Sequence, residues 1–190
     1  MLEQFDFYNV IQVLQNMGKY IRKEARTNLS KKNKNVNKDL YNSLSYGVDN
    51  KGGEIDLVMS MLDYGKFQDQ GVRGKNAYYA DAITAATPYK FRDKMPPIKA
   101  LSDWAKKKNI RLRDDKGRFS KGNYKTIGFL FARSIRDKGF RGSAFLTRPY
   151  MLALKRFNKP FLEAVGKDVA ERIKQIKKET ESLKLKDVKK

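Results

Sequence analysis

Val10, Leu14, Met17, Ile21 and Ala25 recur at steps of three and four, the spacing of one face of an α-helix. The pattern predicts an amphipathic helix from a cap at Asp6 to about Leu29, followed by a polar, basic loop from Ser30 to Lys38. The period then changes to two. Ser43 to Asp49 and Glu54 to Leu62 read as strands, and in the second Ile55, Leu57, Met59 and Met61 alternate with Glu54, Asp56, Val58 and Ser60. Asn50-Lys51-Gly52-Gly53 between them is a turn signal, so the pair predicts a β-hairpin with one buried face. From Gly65 to Lys94 the pattern weakens to an irregular excursion with short elements.

Pro96-Pro97 opens a helix with Ile98, Leu101, Trp104 and Ala105 on its apolar face, ending near Asn109. Ile110 to Lys121 reads as a loop. Asn123 caps the next helix, which buries Ile127, Leu130, Phe131 and Ile135 and stops at Gly139. Thr147 and Pro149 start another, which Asn158-Lys159-Pro160 is expected to break or kink. Beyond it Leu162, Val165, Val169, Ile173, Ile176, Thr180 and Leu183 form a narrow seam at helical spacing, and its half from Ile173 onward is expected to pack on another chain. The predicted class is α+β: a small antiparallel sheet with a β-hairpin, packed against amphipathic helices, with a long C-terminal helix. One domain is expected over residues 1–165, with a helical extension and frayed basic tail over 166–190. Trp104, Ile127, Phe131 and Ile135 are expected to share a single core with Ile55, Leu57 and Met59.

Composition narrows the chemistry. The 190 residues contain no Cys and no His, which removes thiolate and imidazole zinc sites, cysteine nucleophiles and Ser-His-Asp triads. No cofactor is expected. No apolar run approaches the ~18 residues of a membrane span, and MLEQFDFYNV is acidic where a signal peptide is basic. A soluble product made in the cytoplasm, with no membrane contact, is therefore expected. Lys and Arg number 42 against 21 Asp and Glu, a net charge of +21, which points to a polyanionic partner unless the lysines are simply solvated.

The charge is unevenly spread. Residues 39–69 hold Asp39, Asp49, Glu54, Asp56, Asp63 and Asp69 against only Lys51 and Lys66, so the hairpin region is acidic. Residues 106–125 carry Lys106, Lys107, Lys108, Arg111, Arg113, Lys116, Arg118, Lys121 and Lys125 against Asp114 and Asp115, with Phe119 and Tyr124 interleaved. Such a segment suits a phosphate backbone or an acidic neighbouring subunit. Glu54 and Asp56, two apart on a strand, share a face as a metal-dependent nuclease requires. Strand alternation already demands polar residues there, and that explanation is preferred. Gly139 and Gly142 match no phosphate-binding loop and read as a helix cap followed by a turn.

Three stretches, in order, resemble one family. Tyr64-Gly65-Lys66-Phe67-Gln68-Asp69-Gln70-Gly71 resembles a "YA-x-[YF]-x-E-x-G" segment that follows a β-hairpin. Pro96-Pro97-Ile98-Lys99-Ala100-Leu101-Ser102-Asp103-Trp104-Ala105 resembles a "PP-x-x-x-[IL]-x-x-W" helix start. Phe131-Ala132-Arg133-Ser134-Ile135-Arg136-Asp137-Lys138-Gly139, with Ala144-Phe145-Leu146 and Pro149, resembles an "[FY]-A-x-x-I-x-x-x-G-[IT]…PFL-x-P" end. Together they cover about residues 8–165 and resemble the head–tail joining or tail-completion (neck) proteins of tailed bacteriophages. Asp69-Gln70 and Ala144 depart from the family pattern.

The resemblance implies a homo-oligomeric ring, commonly sixfold or twelvefold, in the virion neck between portal or adaptor proteins and tail proteins. It implies contact with genomic DNA as an option and no catalytic residues. The candidate interface is Lys106, Lys107, Lys108, Arg111, Arg113, Arg118, Lys121, Lys125, Tyr64, Phe67, Glu54 and Asp56. The alternative expectation is a basic nucleic-acid-binding module, resting on charge alone.

Overall fold

A computed structural model describes residues 7–31, 38–51, 54–76, 86–120 and 122–187, with side chains as far as Ser182. It is mixed α and β, with a two-stranded antiparallel hairpin and a long C-terminal helix. The elements are α1 (Tyr8–Lys31), α2 (Asp39–Ser43), β1 (Ser45–Lys51), β2 (Glu54–Ser60), α3 (Tyr64–Gln70), β3 (Gly71–Arg73), α4 (Ile98–Lys107), α5 (Tyr124–Lys138), β4 (Gly139–Arg141) and α6 (Thr147–Asp187). They divide into two compact units. The first contains residues 1–23, 45–60 and 149–190, and the second residues 24–44 and 61–148.

In the first unit the β1–β2 register pairs Tyr46 with Met59, Val48 with Leu57 and Asn50 with Ile55. This is the face the alternation assigned to the interior, and Ile55, Leu57 and Met59 are half-buried while Glu54, Asp56 and Val58 face solvent. Helix α1 lies against it. A Cβ added at Gly18 would overlap the Tyr46 ring and Leu57, so only glycine permits this approach. Arg22 sits 4.9 Å over the Tyr46 ring. Val10, Met17 and Ile21 are buried, as their spacing predicts. Tyr20 of α1 meets Phe157 of α6 at a ring distance of 5.9 Å. The expected cap at Asp6 lies outside the described residues, as do Gly52 and Gly53 of the turn.

In the second unit the core is Ala25, Leu29, Leu40, Leu44 and Phe145, flanked by Tyr41, Met61 and Leu146. Arg26 donates from Nε to the Tyr41 carbonyl (3.0 Å) and from Nη2 to that of Leu44 (3.1 Å), tying α2 to α1. Strand β3 pairs with β4 through Gly71–Arg141, Val72–Phe140 and Arg73–Gly139. The stretch after α5 is therefore a strand and not only a cap and turn. Gly139 does stop α5, at φ 71°, and its N–H donates to the Ile135 carbonyl. Asn123 caps α5 as expected, its Oδ1 accepting from Thr126 N at 2.8 Å.

Three expectations are corrected. Trp104 is 38% exposed, not a core residue. Helices α4 and α5 approach through Ala105, Gly128 and Ala132, whose small size leaves no room between them for an indole. Trp104 instead lies at the edge, its ring 5.4 Å from Phe131 in an edge-to-face contact. The residues expected in one core also fall in different units, Ile55, Leu57 and Met59 in the first and Trp104, Ile127, Phe131 and Ile135 in the second. Finally, α6 runs as one helix through Pro160, where the sequence predicts a break or kink. Proline forfeits one backbone hydrogen bond, and the long helix on both sides absorbs that loss.

Candidate functional site

Two buried carboxylates organise the helix starts. Asp69, at the end of α3, is 3% exposed. Its carboxylate accepts from Leu146 N at 2.7 Å, from Thr147 N at 3.2 Å and from the Thr147 hydroxyl, covering the amides at the N-terminus of α6. The backbone follows, with Ser143 N donating to the Gln68 carbonyl and Ala144 N to that of Asp69. Asp168, within α6, is 1% exposed and serves α1 in the same way. Its Oδ1 accepts from Asn9 N (3.0 Å) and Asn9 Nδ2 (2.6 Å), and its Oδ2 from Val10 N (2.9 Å). Burial pushes the Asp168 carboxyl up, but the donated hydrogen bonds outweigh it and hold the group below its ordinary value. Both carboxylates are therefore spent on architecture. Asp69 stands at the acidic position of the Tyr64–Gly71 resemblance, but nothing local marks the capping role of either, because each partner lies far along the chain.

The basic segment expected to be a loop is an ordered ribbon in the second unit. Arg113 and Phe119 bridge as antiparallel neighbours, and Ser120 N donates to the Leu112 carbonyl at 3.0 Å. The turn closes through Asp114 N to the Arg118 carbonyl (2.8 Å) and Gly117 N to the Asp114 carbonyl (2.8 Å), with Gly117 at φ 76°. The Asp114 carboxylate accepts from Lys116 N, Arg118 N and Arg118 Nε, so it is consumed inside the turn together with Arg118. Ile110 and Leu112 are half-buried and line one cleft with Tyr124 and Ile127 of α5, to which Arg111 also contributes. Arg111 and Arg113, alternating with them, are exposed. Their guanidinium carbons stand 5.7 and 4.6 Å from the centre of the Phe119 ring, which is 63% exposed. Lys106 and Lys107 end α4 and Lys108 follows; all three are exposed, as is Lys125 in the first turn of α5. Lys121 lies outside the described residues.

The remaining candidates lie elsewhere. Phe67 is half-buried in an edge contact with Tyr89, ring centres 4.7 Å apart. It is a packing residue, not an open contact surface. Tyr64 is half-exposed. Partial burial, with the Asp39 charge adding, raises its hydroxyl above the ordinary value against the backbone hydrogen bond at Leu40. Glu54 and Asp56 share the exposed face of the hairpin in the first unit, Glu54 opposite Lys51 and Asp56 opposite Asp49. Among the described residues no three or more of His, Cys, Asp and Glu are grouped to hold a metal.

One surface was only half visible in the sequence. In α6, Ala153, Phe157, Ala164 and Asp168 turn inward. About 120° round the helix, Met151, Leu154, Leu162, Val169, Ile173 and Ile176 form an exposed stripe, Leu162 and Ile173 at 62% each, with Val165 of the same seam half-buried. The seam that begins at Leu162 thus extends back to Met151. Compared with family models, with curated proteins and with solved structures, the chain matches none.

Proposed function

We propose that this chain is a structural, ring-forming protein of a tailed-phage neck, a head–tail joining or tail-completion subunit, and not an enzyme. Two things support the reading. The first is the ordered resemblance of Tyr64–Gly71, Pro96–Ala105 and Phe131–Pro149 to that family. The second, and the one observation that carries assembly, is the α6 stripe. Exposed apolar side chains running this far along one helix face favour a protein partner over water. A protein with an inward face already satisfied and a second apolar face to spare is suited to repeated contact, and heterologous contacts that close by rotation make rings.

The test is mass measurement and negative-stain microscopy of the purified full-length chain, without DNA. Closed rings are expected, and Leu162→Ser/Ile173→Ser/Ile176→Ser is expected to yield folded monomers. A chain that remains monomeric at every concentration and equally so after the triple substitution would refute ring formation through this helix. In that outcome the basic nucleic-acid-binding module becomes the better account.

A further inference from the structure

We infer that the ribbon from Ile110 to Ser120 is a preformed docking tip for the phosphodiester backbone of a polynucleotide, bound without regard to sequence. The argument begins with alternation. In the order Ile110, Arg111, Leu112, Arg113, every second side chain is half-buried and the others are exposed. The apolar members are withdrawn toward the cleft lined by Tyr124 and Ile127, while Arg111 and Arg113 stay exposed. Phe119 stands across the bridge from Arg113, on that same outward face. Phe119 remains 63% exposed, and the Arg111 and Arg113 guanidiniums stand 5.7 and 4.6 Å from its ring centre, near enough for a cation–π contact while leaving the ring open to solvent. Stacking in turn holds those long side chains in place, reducing the conformational freedom lost when a ligand arrives.

The local charge balance supports a polyanion. Of the two acids in residues 106–125, Asp114 is consumed by the turn together with Arg118, which leaves Asp115 against the other eight Lys and Arg. Lys106 and Lys107 also complement the C-terminal end of α4, so they need no ligand to explain them. Arg111 and Arg113 have no such duty on a helix end, although Arg113 commits its Nη1 to the Gly117 carbonyl of the turn at 2.9 Å. An acidic protein would be drawn by the same charge. Protein interfaces, however, have apolar centres depleted of charge, and the exposed Phe119 of this ribbon has two guanidiniums beside its ring. A phosphate backbone needs no apolar centre. Guanidinium forks match its oxygens, and its attraction is released as counterions.

The inference does not rest on the ring, which is assayed with no DNA present. The experiment is fluorescence anisotropy of a labelled duplex and of a labelled single strand of mixed sequence, titrated with the full chain over a range of salt. Tight binding with a steep salt dependence is expected. Arg111→Gln/Arg113→Gln should weaken it at least about tenfold and reduce the slope of log K against log salt by about two, uniformly across sequences. Arg111→Lys/Arg113→Lys should keep most of the slope. The comparison is Lys167→Gln/Lys174→Gln, which removes the same charge from exposed positions of α6. Equal losses in both glutamine doubles would mean that overall charge, not the tip, binds DNA, and the proposal would fall. It would also fall if wild type preferred anionic vesicles or polyglutamate to both nucleic acids. Should the ribbon double unfold, Lys106→Gln/Lys108→Gln, outside the ribbon, must still lower the affinity more than the α6 double does. Relative affinity for duplex and single strand then names the form of polynucleotide.

Discussion

Asp168 shows what one residue contributes when its partners are remote. Three donors from Asn9 and Val10 converge on a carboxylate buried in a helix face, replacing the local cap that α1 otherwise needs. Asp168→Ala should cost about 1–3 kcal/mol, because it strands buried donors and not merely one hydrogen bond. Urea denaturation of wild type and variant checks this. The pH dependence has a definite sign. The folded carboxyl lies below its unfolded value, so its contribution is full above the ordinary carboxylate range and disappears as pH falls through the lowered value. Asp168→Asn should remove that acid limb of stability, and an unchanged acid profile would show that the charge is irrelevant to the cap. Asp69→Ala should behave like Asp168→Ala, since Leu146 and Thr147 lose the same kind of acceptor. The capping role of neither aspartate was legible in the sequence, although Asp69 stood in the Tyr64–Gly71 resemblance. Capping is normally local, three residues at most, whereas these bonds span separations of 77 and 159 residues. Asp168 stands in the chain simply as another charge among the lysines of α6.

At the scale of elements, what was legible followed periodicity. The steps from Val10 to Ala25 and the alternation from Ile55 to Met59 place the right side chains inward, because one-sided burial leaves that imprint on sequence. Trp104 misled because large apolar size is not burial. The contact between α4 and α5 is instead set by small residues, a feature periodicity does not weight. Gly128 shows the consequence. A methyl group there would overlap Ser102 and the Ile98 carbonyl, so Gly128→Ala should destabilise by about 1–3 kcal/mol despite alanine's better helix propensity. Gly166 in α6 faces open space, and Gly166→Ala should stabilise by about 0.5–1 kcal/mol. Thermal melts of the two single variants should therefore move in opposite directions. Equal shifts would mean that propensity, not packing, decides both. The ribbon escaped sequence reading for a related reason: Ile110 and Leu112 alternate correctly, but four residues are too short a pattern to stand out from the surrounding charge.

The whole molecule joins an economy of internal packing to surfaces that internal packing does not use. Helix α6 satisfies its own unit with Ala153, Phe157, Ala164 and Asp168, and keeps larger apolar side chains for the opposite stripe. The sequence marked that seam from Leu162 onward but not its use, since spacing of three and four serves an internal face and an external one alike. Exposure separates the two cases. Beyond Asp168 the helix leaves Val169, Ile173 and Ile176 exposed and buries no residue as far as Ser182. An isolated helix of that kind is marginal in water, and its stability must come from packing supplied by another chain. Removing residues 174–190 should accordingly leave the melting temperature of the dilute, unassembled protein nearly unchanged, because none of the side chains described there, Lys174 to Ser182, is buried. The same truncation should weaken assembly, seen as a shift from rings to smaller species at equal protein concentration. A drop of many degrees in the dilute protein would place this half of α6 in the intramolecular core and remove the stripe as the ring contact. Rings that persist undiminished would confine the contact to Met151 through Val169, where Leu162→Ser alone should then dissolve them.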